Sequence, residues 1–217
     1  MPWRVIVVGG HTRSIGKTQL VCDLISVFPE GNWIAGKITQ YGHGVCAQNG
    51  ENCDCAPEEH VCAISWEQRP NDTDSGRFLT AGARRSFWLR TKQGFLAEGL
   101  PLLRSALREM EPKSLDATGN LILESNTLLQ FLKPSLYLMV LDPTKADFKE
   151  SARMQMDRAS SVIFRNAAGN GETAWSGLSA KLLNGKPQYL QRQGDELPPQ
   201  LRRQVQDMLR DTKGMAI

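Results

Sequence analysis

Apolar residues fall along this chain in short runs between polar, Gly-rich turns, alternating with stretches whose apolar positions repeat every three or four residues. By that pattern Val5-Ile6-Val7-Val8 is a buried strand, and Leu20, Val21, Leu24 and Ile25 mark a helix close behind it. Trp33–Thr39 is a second apolar, β-rich run interrupted by Lys37. From Gln40 to about Asn71 the chain turns irregular and rich in Gly, Asn, Cys and acidic residues. A loop of that length inside a compact domain is usually functional or disordered. Val61–Trp66 predicts a short strand within it, and Asp74 is placed to cap a helix through Phe78, Leu79 and Ala83. Phe87–Thr91 reads as a strand, and Leu96–Met110 as an amphipathic helix with Leu100, Leu103 and Leu107 on its apolar face.

The second half alternates more regularly. Leu121–Leu123 is a strand ending at Glu124, Leu128–Leu132 a short helical piece, and Leu136–Leu141 a buried strand closed by Asp142-Pro143. Ala146 to about Met156 predicts a helix, Ser161–Phe164 a strand, Trp175–Leu183 a helix, Tyr189 a short strand, and Gln200–Leu209 a final helix. Strand–helix alternation of this kind predicts an α/β, three-layer domain around a mostly parallel central sheet, with ligands at the carboxyl ends of the strands. The expectation is one domain over residues 1–217, carrying a Cys-rich insertion at about 40–71.

The first strand and helix enclose the strongest chemical signal. Between them lies GGHTRSIGKT, a Gly-rich turn closing on Gly16-Lys17-Thr18. Strand, flexible loop, GK[ST] and helix form the context of a phosphate-binding P-loop, so the expected fold is that of a P-loop NTPase. Glycines let backbone N–H groups turn toward an anion, and the helix N-terminus adds partial positive charge. Lys17 would meet the β- and γ-phosphates and the Thr18 hydroxyl would reach Mg²⁺. The nucleotide-binding set is then Gly10, Thr12, Arg13, Ser14, Ile15, Gly16, Lys17, Thr18 and Gln19. Five residues separate Gly10 from Gly16, one more than in the commonest pattern. GHTRSIGKT resembles the long P-loop of dethiobiotin synthetase, a resemblance that implies ATP and a substrate lysine placed like Lys37.

Other residues gather at the strand ends. Lys37 could bind an acidic substrate or a phosphate, or simply reach water from the strand end. Glu124 is placed to hold Mg²⁺ through water or to position an attacking water, which with Lys17 and Lys37 makes the catalytic set; its alternative is to cap the next short helix. Arg77 offers a planar fork for phosphate or carboxylate, with Asp74 and Ser75 beside it, against the alternative of an N-cap with a solvated arginine. Asn166 follows the Ser161–Phe164 strand, where this superfamily commonly reads the nucleotide base, or it is a plain turn residue.

IAGKITQYGHG, DSGRFLTAGA and LILESN resemble motifs of the MobB family of molybdopterin-guanine dinucleotide biosynthesis. They correspond to a second-strand lysine followed by a His-containing turn, an Asp-Ser-x-Arg segment leading to Ala-Gly-Ala, and a strand ending in Glu. The likeness covers about the first 140 residues at motif level. It implies a GTP-binding homodimer that assists molybdenum-cofactor maturation, with a cofactor-synthesis or acceptor enzyme as partner, and it favours Lys37, Asp74, Ser75 and Arg77 as the face toward that ligand. The Cys-rich insertion is foreign to that family. A ligase or kinase acting on a small acid with ATP is a separate reading of the same residues.

Composition narrows these classes. A net charge of +3 is too small to suggest a nucleic-acid-binding surface, and no apolar run approaches the ~20 residues of a membrane span. The chain opens on a strand without signal-peptide architecture, which predicts a cytoplasmic location. Four of the five cysteines cluster with a histidine as Cys46, Cys53, Cys55, His60 and Cys62. Thiolate and imidazole at this density suit Zn²⁺ or an iron–sulfur cluster, with free cysteines as the alternative. Such a site favours a third reading, a nucleotide-switched metallochaperone. Cys22 belongs to the apolar side of the first helix.

Overall fold

The computed structural model describes residues 3–42, 61–110, 118–166, 175 and 180–211. One sheet of eight strands runs through them, in the order β3-β4-β2-β5-β1-β6-β7-β8. The strands are β1 (Trp3–Gly10), β2 (Ile34–Tyr41), β3 (Cys62–Trp66), β4 (Arg85–Lys92), β5 (Gly119–Glu124), β6 (Leu136–Leu141), β7 (Ser161–Phe164) and β8 (Gln188–Leu190). All neighbours are parallel except β3, which runs antiparallel on β4. The helices are α1 (Lys17–Val27), α2 (Asp74–Thr80), α3 (Leu96–Arg108), α4 (Glu150–Arg153) and α5 (Pro199–Arg210).

The period of two in β1 separates two cores. Ile6 and Val8 face Leu20, Leu24, Phe78 and Leu201, on the side covered by α1, α2 and α5. Val5 and Val7 face Leu96, Leu103, Leu107 and Ala152, on the side covered by α3 and α4. Both faces of the central strands are therefore apolar, as a parallel sheet covered by helices requires. This is the three-layer α/β architecture that the alternation predicts. None of the described helices is long and apolar enough to cross a membrane.

Several elements differ from their predicted form. β2 runs on to Tyr41, beyond Thr39. The cap of α2 is Thr73, whose hydroxyl accepts from Gly76 N at 3.0 Å, and Asp74 occupies the first turn instead. α2 ends before Ala83: Gly82, at φ 106°, lets its own N–H reach Leu79 O and the Ala83 N–H reach Phe78 O. That pair of bonds is a Schellman stop, sealed by burial of Phe78 and Ala83 in one cluster. The helix expected over Ala146–Met156 is reduced to α4 and a 3₁₀ turn at Met156–Arg158. Residues 145–149 are instead tied to the loop after β1, so tertiary contacts override helical periodicity there. Of the helix expected over Trp175–Leu183, a 3₁₀ turn at Ala180–Leu183 is present. Trp175 belongs to no element; its indole N–H donates to Lys145 O at 2.7 Å.

Candidate functional site

β1 ends between β5 and β6, and the loop that leaves it opens at the carboxyl edge of the sheet. Ser14 (φ 51°) and Gly16 (φ 81°) both take left-handed backbone, the alternation that turns successive N–H groups into an anion-binding concavity. Gly16 cannot carry a side chain here, since a Cβ would stand 2.8 Å from Arg165 Nε. Buried Arg165 donates to Gly16 O at 2.6 Å and to Gln191 Oε1 at 3.0 Å, and Gln191 in turn reaches Asp23 on α1 at 3.0 Å. Arg165 thus holds the start of α1 in place. No acidic residue in the first turn of α1 offsets its positive end.

Asn126 fixes the other end of the loop. Its amide accepts from Gly10 N at 2.8 Å and donates to Gly10 O at 2.9 Å, the pattern of a neighbouring strand. Gly9 needs its lack of a Cβ because the Asn126 amide and the Tyr137 ring lie within 2.8 Å of where one would be.

The loop encloses a cleft of about 730 Å³. Arg13 through Gln19 line it, together with Lys37, Asp74, Arg77, Glu124 and Asn166. Lys17 Nζ donates to Thr12 O at 2.7 Å. Burial pushes that ammonium below the ordinary lysine range; Glu124 opposes the shift, while Lys37, Arg13 and Lys145 add to it. The Thr18 hydroxyl donates to Glu124 Oε2 at 2.7 Å. Register places Glu124 opposite Val8 on one side and opposite Lys37 on the other. Lys37 Nζ is hydrogen-bonded to Asp74 and lies 3.9 Å from Glu124 Oε1. Arg77 reaches Gln19 Oε1 at 2.7 Å and lies 3.9 Å from Asp74 Oδ1. α1, α2, β2 and β5 therefore deliver one connected set of charges.

The 3₁₀ turn Thr127–Gln130 starts after Asn126, and the Ser125 hydroxyl accepts from Leu128 N at 3.2 Å, leaving Glu124 to Thr18 and Lys37. At the far end of the cleft Asn166 donates to Asp142 Oδ1 at 3.0 Å. Burial raises the Asp142 carboxyl, but bonds from Asn166 and Thr144 outweigh it, and the net direction is down.

Not every expected residue lines the cleft. Gly10 and Thr12 lie behind it, Gly10 held by Asn126 and Thr12 bonded to Asp147. Ser75 is buried and donates to Glu67, away from the ligand space to which the motif resemblance assigns it. Cys62 lies under α3, its Sγ 3.5 Å from Phe95 O, and Cys46, Cys53, Cys55 and His60 lie outside the described residues. Among the described residues no cluster of His, Cys, Asp and Glu could hold a metal ion. Thr18 with Glu124 offers hard oxygen donors at the loop end of the cleft, a donor set that would fit Mg²⁺ if phosphate oxygens completed it.

Arg165 and Asp142 are site residues that sequence reasoning passed over, because they gain their roles through partners distant in sequence. Asn126 was legible as a residue following Glu124 at the same sheet edge, but not its role of holding Gly10.

No protein-family model matches this chain, and no curated protein matches it. Among solved structures it is similar to HypB from Helicobacter pylori in complex with nickel, at 10% identity and a TM-score of 0.51, over 98% of this chain and 90% of that one. At that identity the likeness shows the fold alone, an α/β arrangement around a mostly parallel sheet.

Proposed function

We propose that this protein binds a nucleoside triphosphate with Mg²⁺ in the cleft, hydrolyses it slowly, and uses the change of state to assist maturation of a cofactor or metal centre. The observation that carries this reading is the Thr18–Glu124 hydrogen bond of 2.7 Å, set beside Lys17 at the mouth of the P-loop. It brings the metal-binding hydroxyl of the loop and the strand-end carboxylate to one point. Thr18 and Glu124 would hold Mg²⁺, which when bound neutralises phosphate oxygens. Lys17 would exchange the Thr12 carbonyl for phosphate, and the loop N–H groups would take further oxygens. Glu124 also orients water, while Lys37, Asp74 and Arg77 face the partner ligand. Asn166 and Asp142 stand where the base would be read, for GTP or ATP. The motif resemblance to the MobB family supports molybdenum-cofactor maturation as the process served, with GTP as nucleotide and a dimer as assembly.

Isothermal titration with Mg²⁺-ATP and Mg²⁺-GTP tests the reading. Wild type is expected to bind, Lys17→Ala to lose binding while keeping its circular dichroism, and Glu124→Gln to bind with slowed turnover. Equal affinity of wild type and Lys17→Ala refutes it.

A second reading, a nucleotide-switched metallochaperone, has its own support. β2 ends at Tyr41, paired with Lys92, and β3 begins at Cys62, paired with Thr91. Both flanks of the Cys/His segment thus stand at the sheet edge that carries the cleft. The similar fold solved with nickel favours this reading as well. It expects about one equivalent of zinc or an iron–sulfur cluster per chain, lost in a Cys53→Ser/Cys55→Ser double variant. Elemental analysis of untagged protein decides it, and metal-free wild type refutes it.

A further inference from the structure

Residues 142–149, between β6 and α4, fold back onto the P-loop. Lys149 N donates to His11 O at 2.8 Å, Thr12 donates to Asp147, and Lys145 Nζ donates to Ser14 O at 2.9 Å. The Phe148 ring packs on His11 with centroids 5.1 Å apart, and Trp175 closes against both at 5.0 and 5.4 Å. Loop and segment are clasped together at four places.

This clasp brings the Lys149 side chain into the same cleft as Lys17, Thr18 and Glu124. Of the other lysines that line the cleft, Lys17 lies on a carbonyl and Lys37 on carboxylates. The Lys149 ammonium has no hydrogen bond or ion pair among the described residues. Burial pushes its pKa down to about 8, Lys17 and Arg13 push the same way, Asp147 opposes them, and Lys37 adds to the fall. An ammonium set beside other cations, with Asp147 the carboxylate that offsets it, is unfavourable by itself and becomes favourable when a polyanion enters.

We propose that Lys149 is a catalytic residue of this site: its ammonium contacts the terminal phosphate of the bound triphosphate and neutralises charge on the phosphoryl group being transferred. The inference rests on the P-loop reading given above. In hydrolysis the water oxygen bonds to the γ-phosphorus while the bond from that phosphorus to the β–γ bridging oxygen breaks. The nucleoside diphosphate leaves with the electron pair, and the water protons pass to orthophosphate and solvent. Lys17 approaches the phosphates from the loop and α1. Lys149 approaches from the β6–α4 segment, so two walls of the cleft each supply a cation. A diphosphate lacks the group that Lys149 contacts.

The test compares wild type, Lys149→Met, Lys149→Gln and Lys149→Arg, each checked for folding by circular dichroism. Titration with Mg²⁺ and a non-hydrolysable triphosphate, then with the matching diphosphate, gives the ratio of the two affinities. The Met and Gln variants are expected to lose about tenfold to a hundredfold in triphosphate affinity, with diphosphate affinity within about threefold of wild type. Turnover should fall by at least that factor, and Arg should restore much of both. Parallel loss of both affinities, or triphosphate affinity and turnover within about twofold of wild type, overturns the proposal while leaving the P-loop reading intact. Wild type that binds neither nucleotide overturns the P-loop reading, and this proposal with it.

Discussion

Replacing Asn126 with alanine should unfasten the P-loop from the strand-end turn that supports it. The amide makes two hydrogen bonds to one residue, accepting from Gly10 N at 2.8 Å and donating to Gly10 O at 2.9 Å. Each bond contributes about 1 kcal/mol net, and a buried N–H left without its acceptor costs about 1–3 kcal/mol. The Asn126→Ala loss is then about 2–4 kcal/mol. For a domain of this size 1 kcal/mol corresponds to roughly 2–4 °C, so Tm should fall by roughly 5–15 °C. Thermal unfolding followed by circular dichroism measures this, and saturating Mg²⁺-nucleotide should recover part of the loss because the ligand binds only the assembled loop. Asn126→Asp sharpens the experiment. It preserves shape and the acceptor for Gly10 N, but sets a second acceptor against Gly10 O. It should be destabilised at neutral pH and regain stability as pH falls and its carboxyl takes a proton. A Tm for Asn126→Ala within about 1 °C of wild type would refute the reasoning and make the amide a bystander.

Two further outcomes follow from the same geometry. Lys37→Met removes the ammonium that Asp74 holds 3.9 Å from Glu124, and so should raise the affinity of the nucleotide-free protein for Mg²⁺ or Mn²⁺, measured by calorimetry; unchanged affinity would separate Lys37 from the metal site. His11 is fully buried, and desolvation lowers its pKa below the usual value. The unfolded chain therefore takes up that proton first: the His11 contribution to stability is complete above pH ~6.5 and is lost as pH falls toward the lower folded value. Urea midpoints between about pH 5 and 8 should show this slope in wild type and a flatter one in His11→Phe; equal slopes would contradict it.

What could be read without a structure was whatever neighbours in the chain decide together. The run Val5–Val8, the turn with left-handed backbone at Gly16, and the apolar period of α1 all lie within one stretch of sequence, so strand, P-loop and helix were legible as a unit. The parallel order was legible for a similar reason, since Leu121–Leu123 in β5, Leu136–Leu141 in β6 and Val162–Phe164 in β7 are unbroken apolar runs that must be covered on both faces. Tertiary structure decided the rest, wherever a group is held by a partner distant in sequence. The helical period of Ala146–Met156 lost to the P-loop, whose His11 carbonyl, Thr12 hydroxyl and Ser14 carbonyl engage residues 145–149 and keep them out of the helix. Lys37 was suspicious as a charge in an apolar strand, but its pairing with Asp74 and approach to Glu124 depend on the β2–β5 register and the placement of α2. Ser75, two residues from Arg77 in sequence, turns into the protein toward Glu67 while Arg77 faces the cleft, because a helix sends such neighbours in different directions. Asn126 and Arg165 hold the two ends of the P-loop across separations of 116 and 149 residues. No local pattern encodes such a bond, because its energy exists only once the sheet has brought those strand ends together.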